Sequence, residues 1–101
     1  MSGVEYVVDL KLWSSDRRFK CPGDGCRSLL YDFEGAKTLI GAHAVTADGR
    51  DLAPGTAHQG VVLAPWAEIP DVYEVAAGVR FTVWYGGDVG EGTVTAVRPR
   101  S

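Results

Sequence analysis

Short apolar runs, separated by clusters of glycine, proline and small polar residues, constrain the fold of this chain more than any other feature. In the first run, Val4 to Trp13, apolar residues occupy alternate positions, with Val7 as the exception. Alternation with a period of two places one set of side chains on each face of a β-strand. No segment has the apolar periodicity of an amphipathic helix of useful length. The sequence therefore predicts an all-β protein.

Five further runs have the same strand-like character. They are Arg27–Phe33, Thr38–Val45, His58–Trp66, Val79–Gly87 and Gly90–Arg98. Strands that recur at roughly ten-residue spacing, with turn residues between them, are typical of an antiparallel sandwich or barrel. Because closure removes exposed strand edges, we expect one closed antiparallel barrel of six strands, forming a single domain over residues 1–101.

The segment GGDVGEGTVTAV (86–97) has four glycines in its first seven residues, which raises the possibility of a phosphate-binding loop. Such loops open a helix whose free N–H groups bind the phosphate, but here a strand follows. Gly86-Gly87 instead suits a tight hairpin that needs positive φ. Gly90 and Gly92 fall on one face of the next strand, where they allow another backbone or a large aromatic ring to approach closely.

The net charge and the length of the apolar runs argue against several classes of function. The formal net charge is −3, which disfavours a broad nucleic-acid surface because Lys and Arg supply most phosphate affinity. Arg17, Arg18 and Lys20 form the only dense basic cluster. The N-terminus MSGVEYVVDL does not resemble a signal peptide, and no apolar run is long enough to span a bilayer. We therefore expect a cytoplasmic protein that does not bind membranes.

Cys21 and Cys26 flank the tetrapeptide PGDG. We expect free thiols, because a disulfide is unusual in the cytoplasm; a disulfide and a zinc site that also uses His43 and His58 remain alternatives. Nothing in the sequence places either histidine beside a cysteine, as nucleophilic catalysis would require. We therefore expect neither enzymatic activity nor a cofactor.

Trp84 and Tyr85 are adjacent, so in a strand their side chains point to opposite faces. One of them is then exposed beside the Gly86-Gly87 turn, unless both belong to the packing of the barrel or its rim. An exposed aromatic ring next to a turn is a candidate contact for a protein partner or a stacked base.

The C-terminal segment GVRFTVWYGGDVGEGTVTAV (78–97) resembles the closing hairpin of the third domain of elongation factor Tu. The family pattern is roughly G-[LM]-R-F-x-[IL]-R-E-G-x-x-T-V-G-x-G-x-[VI]-x-x-[VI]. The matching residues are Gly78, Arg80, Phe81, Val83, Gly86, Gly87, Val89, Gly90, Gly92, Val94 and Val97. Three further segments resemble the family in the same order: VVDLKLW (7–13) with Arg17-Arg18 after it, GCRSLLYDF (25–33) and LAPG (52–55).

The resemblance implies a six-stranded antiparallel barrel without catalytic residues, because the family's GTPase site lies in a separate domain. In the family this barrel packs on the GTPase domain and contacts the T-stem of aminoacyl-tRNA, partly through the closing turn. Arg27 and Arg80 match family arginines. Each could equally pair with a carboxylate of the barrel.

Several departures from the family concern RNA contacts. The closing turn is one residue shorter, Tyr85 stands in place of a glutamate, Asp88 in place of a basic residue, and Cys26 in place of a tyrosine. An aspartate at this turn repels phosphate, as does the net negative charge.

We therefore predict a non-catalytic binding module whose partner is a protein, such as a translation GTPase or a factor that recognises one. The predicted contact residues are Trp84, Tyr85, Gly86, Gly87, Asp88, Arg17, Arg18 and Arg27. Binding of tRNA, a zinc site at Cys21, Cys26, His43 and His58, and a small-molecule site at the barrel mouth are the alternatives.

Overall fold

The computed structural model describes residues 4–14, 18–34, 39–66 and 75–99. Its strands are β1 (Val4–Leu12), β2 (Leu30–Phe33), β3 (Leu39–Val45), β4 (Ala57–Pro65), β5 (Arg80–Trp84) and β6 (Asp88–Pro99). They close into a barrel in the order β1-β4-β3-β2-β5-β6, and every neighbouring pair is antiparallel. No helix occurs in the described ranges. The predicted all-β, closed, six-stranded antiparallel barrel is therefore confirmed.

Two strand boundaries differ from the sequence prediction by three residues, and the others by at most two. β2 begins at Leu30 rather than Arg27, because Cys26 makes an isolated bridge to Ala44 instead of joining the β2 ladder. β5 ends at Trp84, because the N–H of Tyr85 donates to the Gly87 carbonyl at 2.8 Å and so starts the turn.

The core lies inside the barrel and consists of inward positions of all six strands together with Cys21, Cys26, Leu29 and Leu52 from the loops. On β1, Tyr6, Val8, Leu10 and Leu12 are buried, as the alternation predicted, whereas Val4 at the end of the strand is exposed. Four aromatic side chains continue the core across β1, β2 and β5, with ring centroids 5.3–5.8 Å apart: Tyr6–Phe33, Phe33–Phe81 and Tyr31–Phe81. Aromatic pairs at this separation contribute beyond their buried area.

Gly92 is the point where β6 fits between its two neighbouring strands. It pairs with Leu10 of β1 on one side and with Phe81 of β5 on the other. A Cβ atom at this position would overlap the Phe81 ring and lie 2.5 Å from the Asp9 carbonyl oxygen. At Gly90, a Cβ atom would overlap the carbonyl oxygen of Lys11. The prediction that these glycines admit a close backbone and a large aromatic ring is confirmed.

Gly92→Ala should destabilise the fold by about 1–3 kcal/mol, the usual cost of an extra carbon in a close-packed site. The lowered melting temperature can be measured by circular dichroism. Glu91→Ala is the matched control, since Glu91 is exposed on the same strand and should change stability by no more than about 0.5 kcal/mol. An unchanged melting temperature for Gly92→Ala would contradict the close packing of the Phe81 ring on Gly92.

Candidate functional site

The Gly86-Gly87 turn has the geometry that the sequence predicted. Gly86 and Gly87 have φ values of 69° and 152°. Trp84, before the turn, is half-buried and pairs with Leu30 and Asp88. Tyr85 is 37% exposed, so it is the more exposed of the two adjacent aromatic residues.

A ring contact brings together the two surfaces that the sequence predicted separately. Phe19, from the loop between β1 and β2, lies with its ring centroid 5.1 Å from that of Tyr85. Arg18 and Lys20, on either side of Phe19, are exposed. An open depression of about 400 Å³ is lined by Arg18, Phe19, Lys20 and Pro54. We call these four residues, with Tyr85, the aromatic-basic site.

Two of the predicted basic residues are not placed in the aromatic-basic site. Arg17 lies outside the described residues. Arg27 is exposed and lies in the loop that leads into β2, outside the lining of the depression beside Phe19. The aromatic-basic site thus contains Arg18 and Tyr85 from the predicted set, together with Phe19, Lys20 and Pro54.

The expectation of free thiols at Cys21 and Cys26 is wrong. The two form a disulfide with a Cα–Cα distance of 5.1 Å, which lies within the usual range, and both are buried. The loop folds so because each cysteine is held by backbone bridges, Cys21 to Leu52 and Cys26 to Ala44. Disulfides are rare in the cytosol, so this bond gives no support to the predicted cytoplasmic location.

The four residues of the zinc alternative do not form a metal site. A disulfide leaves neither Cys21 nor Cys26 with a thiolate to bind zinc. Across the part of the chain that the structure describes, no group of three or more His, Cys, Asp or Glu side chains could hold a metal ion. His43 instead packs with its Nε2 against Gly25, and His58 lies on β4.

His58 is a buried histidine, 4% exposed. The Thr56 hydroxyl donates to the Ala53 carbonyl at 2.6 Å, so it accepts from Nε2 of His58 at 2.9 Å. This assigns the ring proton to Nε2, and Nδ1 has no partner within the described chain. Burial lowers the pKa of His58, the positive charge of Arg50 lowers it further, and Asp48 opposes them.

A second, larger depression of about 1280 Å³ is lined by segments of β1, β2, β4, β5 and β6 and by the loop after β3. Its charged lining residues carry both signs: Asp9, Lys11, Asp32, Glu34, Asp48, Arg50, Arg80 and Glu91. Asp48 pairs with Arg50 at 2.6 Å. Mixed and partly paired charges indicate a hydrated surface rather than a site for one charged ligand.

An apolar patch lies on the outer surface of β3 and β4 and extends to Val7 of β1, whose other outward residues, Glu5, Asp9 and Lys11, are charged. The sequence did not predict this patch. Outward residues Val45, Val62, Val7 and Ala96 pair in one row across β3, β4, β1 and β6. The outward residues in the next rows include Leu39, Ala64 and Trp66, with His43 among them. We call the set Val7, Leu39, Val45, Val62, Ala64, Trp66 and Ala96 the apolar face. Leu39 and Val45 are 40% and 37% exposed.

Trp66 is the most prominent residue of the apolar face, at 56% exposed. It follows β4, and its N–H donates to the Gly41 carbonyl at 3.1 Å. Its ring packs directly on Gly41, where an added Cβ atom would lie 2.6 Å from Cε3 of Trp66. Because Gly41 has no side chain, the Trp66 ring can pack against β3, and Trp66 still remains exposed.

The signal for the apolar face was present in the sequence. Residues 61–66, VVLAPW, are all apolar, and so are residues 39–45 except His43. Unbroken apolar runs are typical of strands that are buried on both faces. In the described barrel, the core covers only the inner face of these strands.

Neither sequence comparison assigns this chain to a family. No family model matches it, and no curated protein is similar to it. Within the described ranges, no helix is long and apolar enough to cross a membrane.

Lowering the pH from 7 to 5 should destabilise the protein through His58. Its folded pKa lies below the ordinary value of 6.5, so the unfolded chain takes up a proton first and stability is lost as the pH falls below 6.5. His58→Gln should show a smaller fall in melting temperature between these pH values. His43→Gln, which retains His58, is the control. Equal pH dependence of wild type and His58→Gln would contradict this role of the buried imidazole.

Proposed function

We propose that this barrel is a non-catalytic binding module that engages a protein partner of the translation machinery in the cytoplasm, a translation GTPase being the first candidate. The observation that carries the binding role is the apolar face. Outward positions of a small barrel are in contact with water, yet here four strands present valine, leucine, alanine and tryptophan there. Contiguous exposed apolar surface marks a site of protein interaction.

The outer surface of β2, β5 and the first half of β6 has the opposite character, which supports a binding role for one side. Outward positions of β2, β5 and β6 carry Asp32, Arg80, Thr82, Glu91 and Thr93. Such charged and polar positions are typical of a solvated sheet face. A partner that covers the apolar face would bury Trp66, and tryptophan is one of the residue types enriched among interface hot spots.

The link to translation rests on the sequence resemblance to the third domain of elongation factor Tu, which implies a barrel that packs on a GTPase domain. The closed six-stranded barrel agrees with that resemblance. RNA binding is the second candidate, because Arg18 and Lys20 lie beside the stacked rings of Phe19 and Tyr85. Asp88 and the net charge of −3 oppose it.

Binding to purified elongation factor Tu, in its GDP and GTP forms, tests the proposal by isothermal titration calorimetry. Trp66→Ser should weaken binding about 30-fold or more, since truncating a hot-spot residue costs about 2 kcal/mol or more. Gln59→Ala, an exposed position of the same strand, is the matched control and should bind as the wild type does. Titrations with the disulfide intact and reduced show whether the bond affects the contact.

Three outcomes are informative. Binding that is lost in Trp66→Ser and kept in Gln59→Ala supports the proposal. Binding of aminoacyl-tRNA at low salt, without measurable affinity for elongation factor Tu, favours RNA binding, the second candidate. No affinity for any of these probes would overturn a role in translation.

A further inference from the structure

We propose that the aromatic-basic site binds an acidic peptide segment of the partner protein, one that carries an apolar side chain among its carboxylates. The proposal rests on the proposed binding function and names the chemistry of a second contact. The carboxylates would pair with Arg18 and Lys20, and the apolar side chain would occupy the depression beside Phe19 and Pro54.

The charge of the site favours an anionic occupant. The whole chain is acidic, with 13 Asp and Glu against 10 Lys and Arg. Among the described residues, those that line the smaller depression include two cations and no carboxylate. Lys20 contacts Asp51 at 3.4 Å, but the two side chains are 76% and 42% exposed. A surface ion pair of this kind is worth little, so Lys20 can exchange its partner for a carboxylate of the peptide.

The apolar part of the site favours a peptide with a hydrophobic anchor. Phe19 is half-buried and packs on the core, and its ring supports that of Tyr85. Together with Pro54, the Phe19 ring lines a depression of about 400 Å³, a volume suited to one or two apolar side chains rather than a folded domain. The anchor supplies affinity, and the cations select acidic neighbours.

Backbone contacts on both sides hold the site in place before any partner binds. Cys21, directly after Lys20, exchanges two backbone hydrogen bonds with Leu52, at 2.9 and 2.8 Å, and is tied to Cys26 by the disulfide. On the other side, the turn that carries Tyr85 is closed by its hydrogen bond to Gly87. A preformed site avoids much of the entropic cost of ordering loops on binding.

A peptide fits the site better than RNA does. Affinity for RNA requires several cations along the phosphate backbone, whereas Arg18 and Lys20 are the two cations that line the depression within the described ranges. Asp88, three residues after Tyr85 and exposed at the start of β6, adds a negative charge to the turn, and that charge repels phosphate. Carboxylates of a peptide can be placed on one side of an anchor residue and so avoid Asp88.

Fluorescence anisotropy with a labelled peptide, Glu-Asp-Glu-Leu-Phe-Asp-Glu-Glu, tests the inference. The wild type should bind it, and the affinity should fall as salt rises from about 0.02 to 0.2 M because surface charges are then screened. The peptide with Gln and Asn in place of its acids should bind at least tenfold more weakly. Arg18→Gln combined with Lys20→Gln should lose at least tenfold, and Tyr85→Ala at least threefold.

Arg98→Gln is the matched control, because Arg98 is an exposed cation that pairs with Glu5 on another part of the barrel; it should bind the peptide as the wild type does. Trp66→Ser should also keep its affinity for the peptide. Loss of binding through the apolar face can therefore be told apart from loss of binding at the aromatic-basic site. Equal binding of the acidic and the amide peptide, no binding at low salt, or tighter binding of a single-stranded RNA octamer that displaces the peptide would each overturn the inference.

Discussion

The close approach of three strands at Gly92 is the constraint on which the rest of the structure depends. The Phe81 ring and the Asp9 carbonyl occupy the space that a side chain on β6 would need. Because β6 can then pair with β1 and β5 at the same level, the sheet closes. Closure leaves no unpaired edge and gives the chain an inside, where the aromatic core lies, and an outside.

Once the barrel is closed, the outward residues decide what the protein can bind. Its inner space is filled by the core, so the candidate contacts are on the surface. The apolar face spreads over neighbouring strands around Trp66, whereas the aromatic-basic site joins two loops through the contact of Phe19 with Tyr85. One surface suits a folded partner that covers a broad apolar area, and the other suits a narrow charged segment. Neither requires catalytic residues.

The sequence predicted the architecture well, because alternation and turn residues are local signals. The inward set on β1 and the roles of Gly90 and Gly92 followed from spacing alone. The disulfide between Cys21 and Cys26 was not expected, since the bridges that hold the two cysteines involve residues 18 or more positions away. The contact of Phe19 with Tyr85 joins residues far apart in the chain, and no local pattern encodes it. The run VVLAPW indicated the apolar face, but its inward and outward residues could be told apart only once the register of the strand pairs was known.

The most direct test of this account is a set of interstrand nuclear Overhauser effects from Gly92 in the isotope-labelled protein. A closed barrel predicts contacts from Gly92 to both Leu10 and Phe81, together with slow amide exchange along both neighbours of β6. Contacts to only one of them, with rapid exchange on the other side, would show an open sheet. That result would remove the distinction between core and outer face from which both binding surfaces are derived.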